Sequence, residues 1–209
     1  MMVQQTDSTR ARLQARGLPA DLAAQVTVVA QQTAGQGLPA QAIVDKAVEG
    51  FYKHVPPSRI EAAVRDLSQR LGRARAELRS GGVADASGGV IAGSADASAQ
   101  GIARGDQVAM IHAAPDDESA ASGLSVAAAL VVQGIDPRTS AQLVTSSFAH
   151  GRTLAQVLDL PAAARALQVR GTSTTEVGRQ LLDGISAAGT VTGRTGVTAR
   201  PVVPPVRVP

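Results

Sequence analysis

The sequence predicts an all-α protein, a set of tandem short helices in an irregular array or bundle that ends in an extended C-terminal tail. Three observations carry that expectation. Gly and Pro recur as paired punctuation about one short helix apart, the apolar residues between them follow helical spacing, and residues 187–209 switch to Thr, Val and Pro.

The punctuation comes first. Gly17-Leu18-Pro19-Ala20 recurs as Gly37-Leu38-Pro39-Ala40, and His54-Val55-Pro56-Pro57 takes the same role further on. Each joins a helix stop to a helix start, because Gly suits the left-handed position after a helix and Pro suits the first helical turn. The later glycines Gly105, Gly123, Gly134, Gly151 and Gly171 read as further breaks of the same kind. Repetition at this spacing points to an array in which each helix needs its neighbours to cover its apolar face. Ser58 with Glu61 and Ser173 with Glu176 match the capping box, and Asp136 before Pro137 is an N-cap candidate.

The most regular helix spans Pro57 to Arg79. Its apolar residues Ile60, Val64, Leu67, Leu71, Ala74 and Leu78 alternate steps of four and three, the seam of helices packed at shallow angles. The stretch 80–89 is rich in Gly and Ser and reads as a linker. The expected organisation is therefore an N-terminal extension (1–7), a helical bundle (8–79), the linker (80–89), a second helical region (90–186) and the tail (187–209). Within the second region, Val126 to Val132 is apolar on all sides, which predicts a central helix.

Composition narrows the core and the chemistry. Of 209 residues none is Trp or Cys, one is Tyr and two are Phe, so the core must be built from Ala, Val, Leu and Ile. Such side chains bury little area each but let helices approach closely. The missing cysteines exclude disulfides, thiolate metal sites and cysteine nucleophiles. No apolar stretch approaches the roughly 18 residues that a membrane-spanning helix needs. Residues 1–7 have neither a basic nor an apolar run, so no signal peptide is expected as written.

Charge is uneven along the chain. Residues 1–80 carry 11 basic and 7 acidic side chains, residues 81–190 carry 6 and 10, and residues 191–209 carry 3 and none. A basic end and an acidic middle favour contact between copies as much as contact with nucleic acid.

Candidate sites follow from these features. Arg59, Arg65, Arg70, Arg73, Arg75 and Arg79 lie on one helix, and Arg59, Arg65, Arg70, Arg73 and Arg79 form the candidate basic face for a nucleic-acid reading. Glu61, Asp66 and Glu77 are interspersed among them and aromatic residues for base stacking are nearly absent, so a solvated charged face is the simpler reading. His112 with Asp116, Asp117 and Glu118 is the cluster that an enzyme or metal protein would use. Carboxylates just after Pro115 are equally what a helix N-terminus favours, and the HExxH spacing is absent. His54 and His150 each precede a helix break, where an imidazole meets the last carbonyls. Gly88 to Ser94 is Gly-rich but lacks the Lys of a phosphate-binding loop.

The tail holds the candidate partner-binding residues Val191, Arg194, Val197, Arg200, Pro201, Val202, Val203, Pro204, Pro205, Val206 and Arg207. The Thr/Val alternation around Gly193 and Gly196 suits a hairpin or an added strand, and the Pro-rich end suits polyproline II. The expected protein is therefore a non-enzymatic scaffold without cofactor or metal, whose tail docks on a protein partner or a neighbouring copy.

The segment from Gly37-Leu38-Pro39 through Asp45-Lys46-Ala47-Val48-Glu49-Gly50 to Lys53-His54-Val55-Pro56-Pro57-Ser58-Arg59-Ile60 resembles a motif of Ala-rich bacterial proteins, in which a DKAxEG helix precedes KxVPPxRI. The resemblance covers residues 17–80 and, more loosely, the helical run to residue 185. It implies a helical fold and carries no activity. The exported look of that group implies a place in the cell envelope; the residues themselves leave the compartment open.

Overall fold

The computed structural model describes residues 2–191, with side chains described for residues 8–187, and these residues are helical throughout, without strands. The helices are α1 (Met2–Ala15), α2 (Ala20–Gly35), α3 (Ala40–Tyr52), α4 (Pro57–Ser80), α5 (Gly88–Ala99), α6 (Arg104–Ala113), α7 (Asp117–Val132), α8 (Pro137–Ala149), α9 (Leu154–Leu158), α10 (Leu160–Val169) and α11 (Thr174–Val191).

One backbone device ends most of them. Gly17, Gly37, Gly82, Gly101, Gly134, Gly151 and Gly171 have positive φ. At each, the glycine N–H donates to the carbonyl three residues back and the next N–H to the carbonyl five residues back, as in Gly134 to Val131 (2.8 Å) and Ile135 to Leu130 (3.1 Å). This pairing satisfies carbonyls that a helix end would leave bare. His54 occupies the same position after α3 with φ 55°, donating to Phe51. It is the one non-glycine residue with positive φ among those described.

The glycine expectations divide. Gly134, Gly151 and Gly171 end helices as expected, and so does Gly101, which the sequence reading passed over. Gly105 and Gly123 are helical instead, in α6 and α7. Gly123 is a point of contact: a Cβ there would stand 2.9 Å from Phe148 Cε2 and 2.9 Å from Val144 Cγ1.

Helix starts divide in the same way. Asp136 caps α8 by accepting from the Thr139 N–H at 3.0 Å. Thr153 and Gln156 form a complete capping box at α9. The Ser58–Glu61 box does not form, because the chain turns helical earlier: Pro56 is the N-cap of α4, and Glu61 accepts from Arg65. Ser173 makes half of its expected box, accepting from the Glu176 N–H, while the Glu176 carboxylate turns to Arg179 and Gln180.

The seam of α4 is buried at all six predicted positions, Ile60, Val64, Leu67, Leu71, Ala74 and Leu78. The core it joins is continuous from Leu13 in α1 to Ile185 in α11. The expected linker is short in space: Ser80 ends α4, and Gly88 and Gly89 already belong to the first turn of α5, where Ser87 accepts from the Val90 N–H. α4 packs directly on α5, and α7 packs against α5, α6, α8, α9 and α10. The centrality expected for Val126 to Val132 holds for α7, although Val132 itself is 70% exposed.

With so few aromatic residues, helices meet at glycine. A Cβ on Gly93 of α5 would lie 2.9 Å from the Ala121 carbonyl oxygen of α7, and one on Gly178 of α11 would lie 2.7 Å from Thr139 Cγ2 of α8. Most buried polar side chains are hydrogen-bonded; among the described residues Gln133 Oε1 and Arg152 Nε are buried without a partner. Gln107 of α6, 2% exposed, donates through Nε2 to Ser98 Oγ and the Ile102 carbonyl, and its Oε1 accepts from Ser94 Oγ at 2.6 Å. The expected tail begins later than the composition suggested, since α11 runs through Ala187 and Thr190 to Val191.

Candidate functional site

The five arginines of the predicted basic face share α4 but not one side of it. At about 3.6 residues per turn they flank the buried seam on both sides. Arg65 lines the groove between α2 and α4, with Gln25, Gln32 and Gln69. Arg70 and Arg73 line a different groove, between α4 and α5. Two of the five are engaged within the helix: Arg65 donates to Glu61, and Arg70 donates to Asp66 at 2.8 Å. Arg75, outside the predicted set, reaches across to the Gln36 carbonyl and so caps the end of α2. Such pairs neutralise part of the positive charge that a phosphate backbone would need.

The histidine cluster is local helix chemistry. Asp116 is the N-cap of α7 and accepts from the Ser119 N–H at 2.7 Å. That hydrogen bond holds the Asp116 carboxyl below its ordinary pKa. Asp117 and Glu118 follow in the first turn, where the helix dipole favours them, and His112 sits in the last turn of α6. Among the described residues no group of three His, Cys, Asp or Glu side chains is placed to hold a metal ion. His150 Nδ1 lies 2.8 Å from the Ser146 carbonyl at the end of α8; a carbonyl only accepts, so Nδ1 carries the proton.

Of the predicted tail residues, Val191 is the last residue of α11. Arg194, Val197, Arg200, Pro201, Val202, Val203, Pro204, Pro205, Val206 and Arg207 lie outside the described residues.

A site that the sequence reading did not single out is an open groove of about 430 Å³ where α5, α7 and the α9–α10 junction meet. Its floor is the close crossing of Gly89 and Gly93 on Ala121, its walls include Ser125, Leu158 and Pro161, and Asp96 stands in its lining. Leu158 is 52% exposed there. Asp96 has water access, yet the surrounding groove atoms desolvate it and raise its pKa, against the opposing pull of Arg70 and Lys46. No hydrogen-bond partner is seen for its carboxylate among the described residues. The residue spacing carried part of this signal, because positions 89, 93 and 96 share a helix face. The opposing wall comes from residues 25 to 72 positions later in the chain.

No family model, curated protein or solved structure matches the chain. Among the described residues no helix is long and apolar enough to cross a membrane. What the chain can do is therefore read from its own surfaces: shallow grooves between helices, lined by small and polar side chains, with one carboxylate in the groove that α5 and α7 share.

Proposed function

We propose that this chain is a non-enzymatic interaction protein, a helical scaffold whose C-terminal tail docks on a partner or on a neighbouring copy. The observation that carries this reading is the change of character at the end of the chain. After α11 the residues 192–209 hold Arg194, Arg200 and Arg207, no acidic side chain, and a run of Pro and Val that cannot continue a helix. The body supplies the complementary property, since residues 81–190 carry an excess of acidic side chains.

The organisation of the body supports a scaffold role. Interlocked glycine contacts and a continuous core make a frame in which α7 holds five other helices. Binding to such a frame costs little ordering of the frame itself.

Deleting residues 192–209 tests the proposal. The cut leaves α11 whole, and circular dichroism checks that the described helices persist. Mass in solution and partner capture are expected to fall relative to the full chain. An unchanged assembly state together with unchanged partner capture rejects the tail as the docking element.

A further inference from the structure

We infer that the groove between α5, α7 and the α9–α10 junction is the receptor for the tail, residues 192–209, of a second copy of this chain, an inference that rests on the docking reading above. Strand addition needs a sheet edge, and the described residues contain no strand, so a tail that docks on another copy must lie in a groove as an extended or polyproline II segment. This groove combines an apolar floor and wall with a carboxylate that has no hydrogen-bond partner among the described residues, whereas the Glu77 carboxylate in the α4–α5 groove stands beside Arg70 and Arg73, which disfavour an arginine-bearing segment. Gly93 and Ala121 leave the floor low, Leu158 and Pro161 offer apolar contact, and Ser125 offers a hydroxyl.

Charge selects the occupant. Asp96 lies in the groove, Asp117 and Glu118 lie one helical turn from Ala121 and Ser122, and Asp159 adjoins Leu158. Arg165, one turn beyond Pro161, is the cation nearest in sequence to that rim, while Arg70 and Lys46 face Asp96 from α4 and α3. Arg70 is already engaged with Asp66, and Lys46 with Glu49. Asp96 in the lining, with Asp117, Glu118 and Asp159 within one helical turn of lining residues against Arg165, gives an acidic excess that matches a segment bearing three arginines and no carboxylate. α11 also continues for about 9 Å past Ile185, its last buried described residue, before the tail begins, which starts the tail at a distance from its own core. A tail of one copy in the groove of the next is a heterologous contact, and it builds chains or rings.

Full-length variants of two kinds test this by sedimentation velocity over a concentration series, with circular dichroism confirming unchanged helix content. Asp96→Lys, and separately Ser125→Trp at an exposed position, damage the groove. The double variant Arg200→Glu with Arg207→Glu damages the tail. The wild type is expected to self-associate and to dissociate as salt rises. Each variant should associate about tenfold more weakly or worse. Mixing Asp96→Lys with the tail variant should restore a one-to-one complex, because one partner keeps an intact tail and the other an intact groove.

Loss of association in the tail variant with wild-type association in both groove variants overturns the groove and leaves tail docking standing. Wild-type association in the tail variant overturns both. A wild type that stays monomeric at every concentration overturns docking between copies, and with it this receptor.

Discussion

The same substitution, Gly to Ala inside a helix, should have opposite effects at Gly93 and Gly184. Helix propensity favours Ala by about 1 kcal/mol at an interior position. At Gly184 of α11 a Cβ meets nothing within 4 Å, so Gly184→Ala should stabilise by about 0.5–1 kcal/mol. At Gly93 the added Cβ would stand 2.9 Å from the Ala121 carbonyl oxygen and 3.0 Å from Leu124 Cβ. Carbon atoms in contact prefer about 3.5–4.0 Å, so α5 and α7 would have to part by several tenths of an ångström. The obstructing atoms are a backbone oxygen and a Cβ fixed to the backbone of α7, which also packs on α6, α8, α9 and α10 and so has little room to retreat. Overpacking of this kind costs about 1–3 kcal/mol, and here it should exceed the propensity gain. Gly93→Ala should therefore lose about 1–2 kcal/mol. Urea denaturation followed by far-UV circular dichroism gives the comparison as a shift in midpoint at constant slope. A Gly93→Ala protein as stable as the wild type, or more stable, would show that the α5–α7 crossing is looser than described.

Three further outcomes are expected. His54→Gly should raise stability by about 0.5–1 kcal/mol, because relief of a left-handed β-carbon, about 1–2 kcal/mol, outweighs the extra chain entropy of glycine; a thermal midpoint that falls counts against this. Gln107→Met conserves size but removes two buried hydrogen bonds and one partly buried, and strands the Ile102 carbonyl, so unfolding free energy should drop by about 2–4 kcal/mol, and a loss under about 1 kcal/mol contradicts the network. Glu176 is held down to about 2 by hydrogen bonds from Arg179 first and Gln180 second, so its contribution is present above the ordinary glutamate pKa of 4.5 and is lost as pH falls toward 2. A carboxyl NMR titration of Arg179→Met should place Glu176 closer to its ordinary value, and high salt should shrink the difference; an unmoved titration refutes the pairing.

Local features were legible in the residues alone. The all-helical class, the six-residue seam of α4, the Asp136 cap and the glycine stops at Gly17, Gly37, Gly134, Gly151 and Gly171 depend on atoms within about one turn of each residue, so neighbours in sequence suffice to predict them. Gly123 could not be told from those stops by sequence, because a helical glycine and a terminating glycine look alike until the facing residue is known; Gly105 is helical with nothing within 4 Å of a Cβ there, and no contact explains it. For Gly123 the facing residue is Phe148, placed there by the fold. The Ser58 box failed for a related reason, since Pro56 and Pro57 had already set the helix start.

The candidate sites divide along the same line. Spacing put Arg59, Arg65, Arg70, Arg73 and Arg79 on one helix, but only the packing of α2 and α5 on either side of α4 decided that Arg65 faces one groove and Arg70 and Arg73 another. The shared face of Gly89, Gly93 and Asp96 is a property of one helix. Its meeting with Ala121, Ser125, Leu158 and Pro161 is a property of the fold. By itself the sequence determined most helix stops, the Asp136 start and the apolar face of α4, because those are short-range balances of backbone sterics and hydrogen bonds. Which faces close on each other, and which groove remains open beside the Asp96 carboxylate, was decided only by the tertiary structure, because close approach is a relation between surfaces that the chain brings together from far apart.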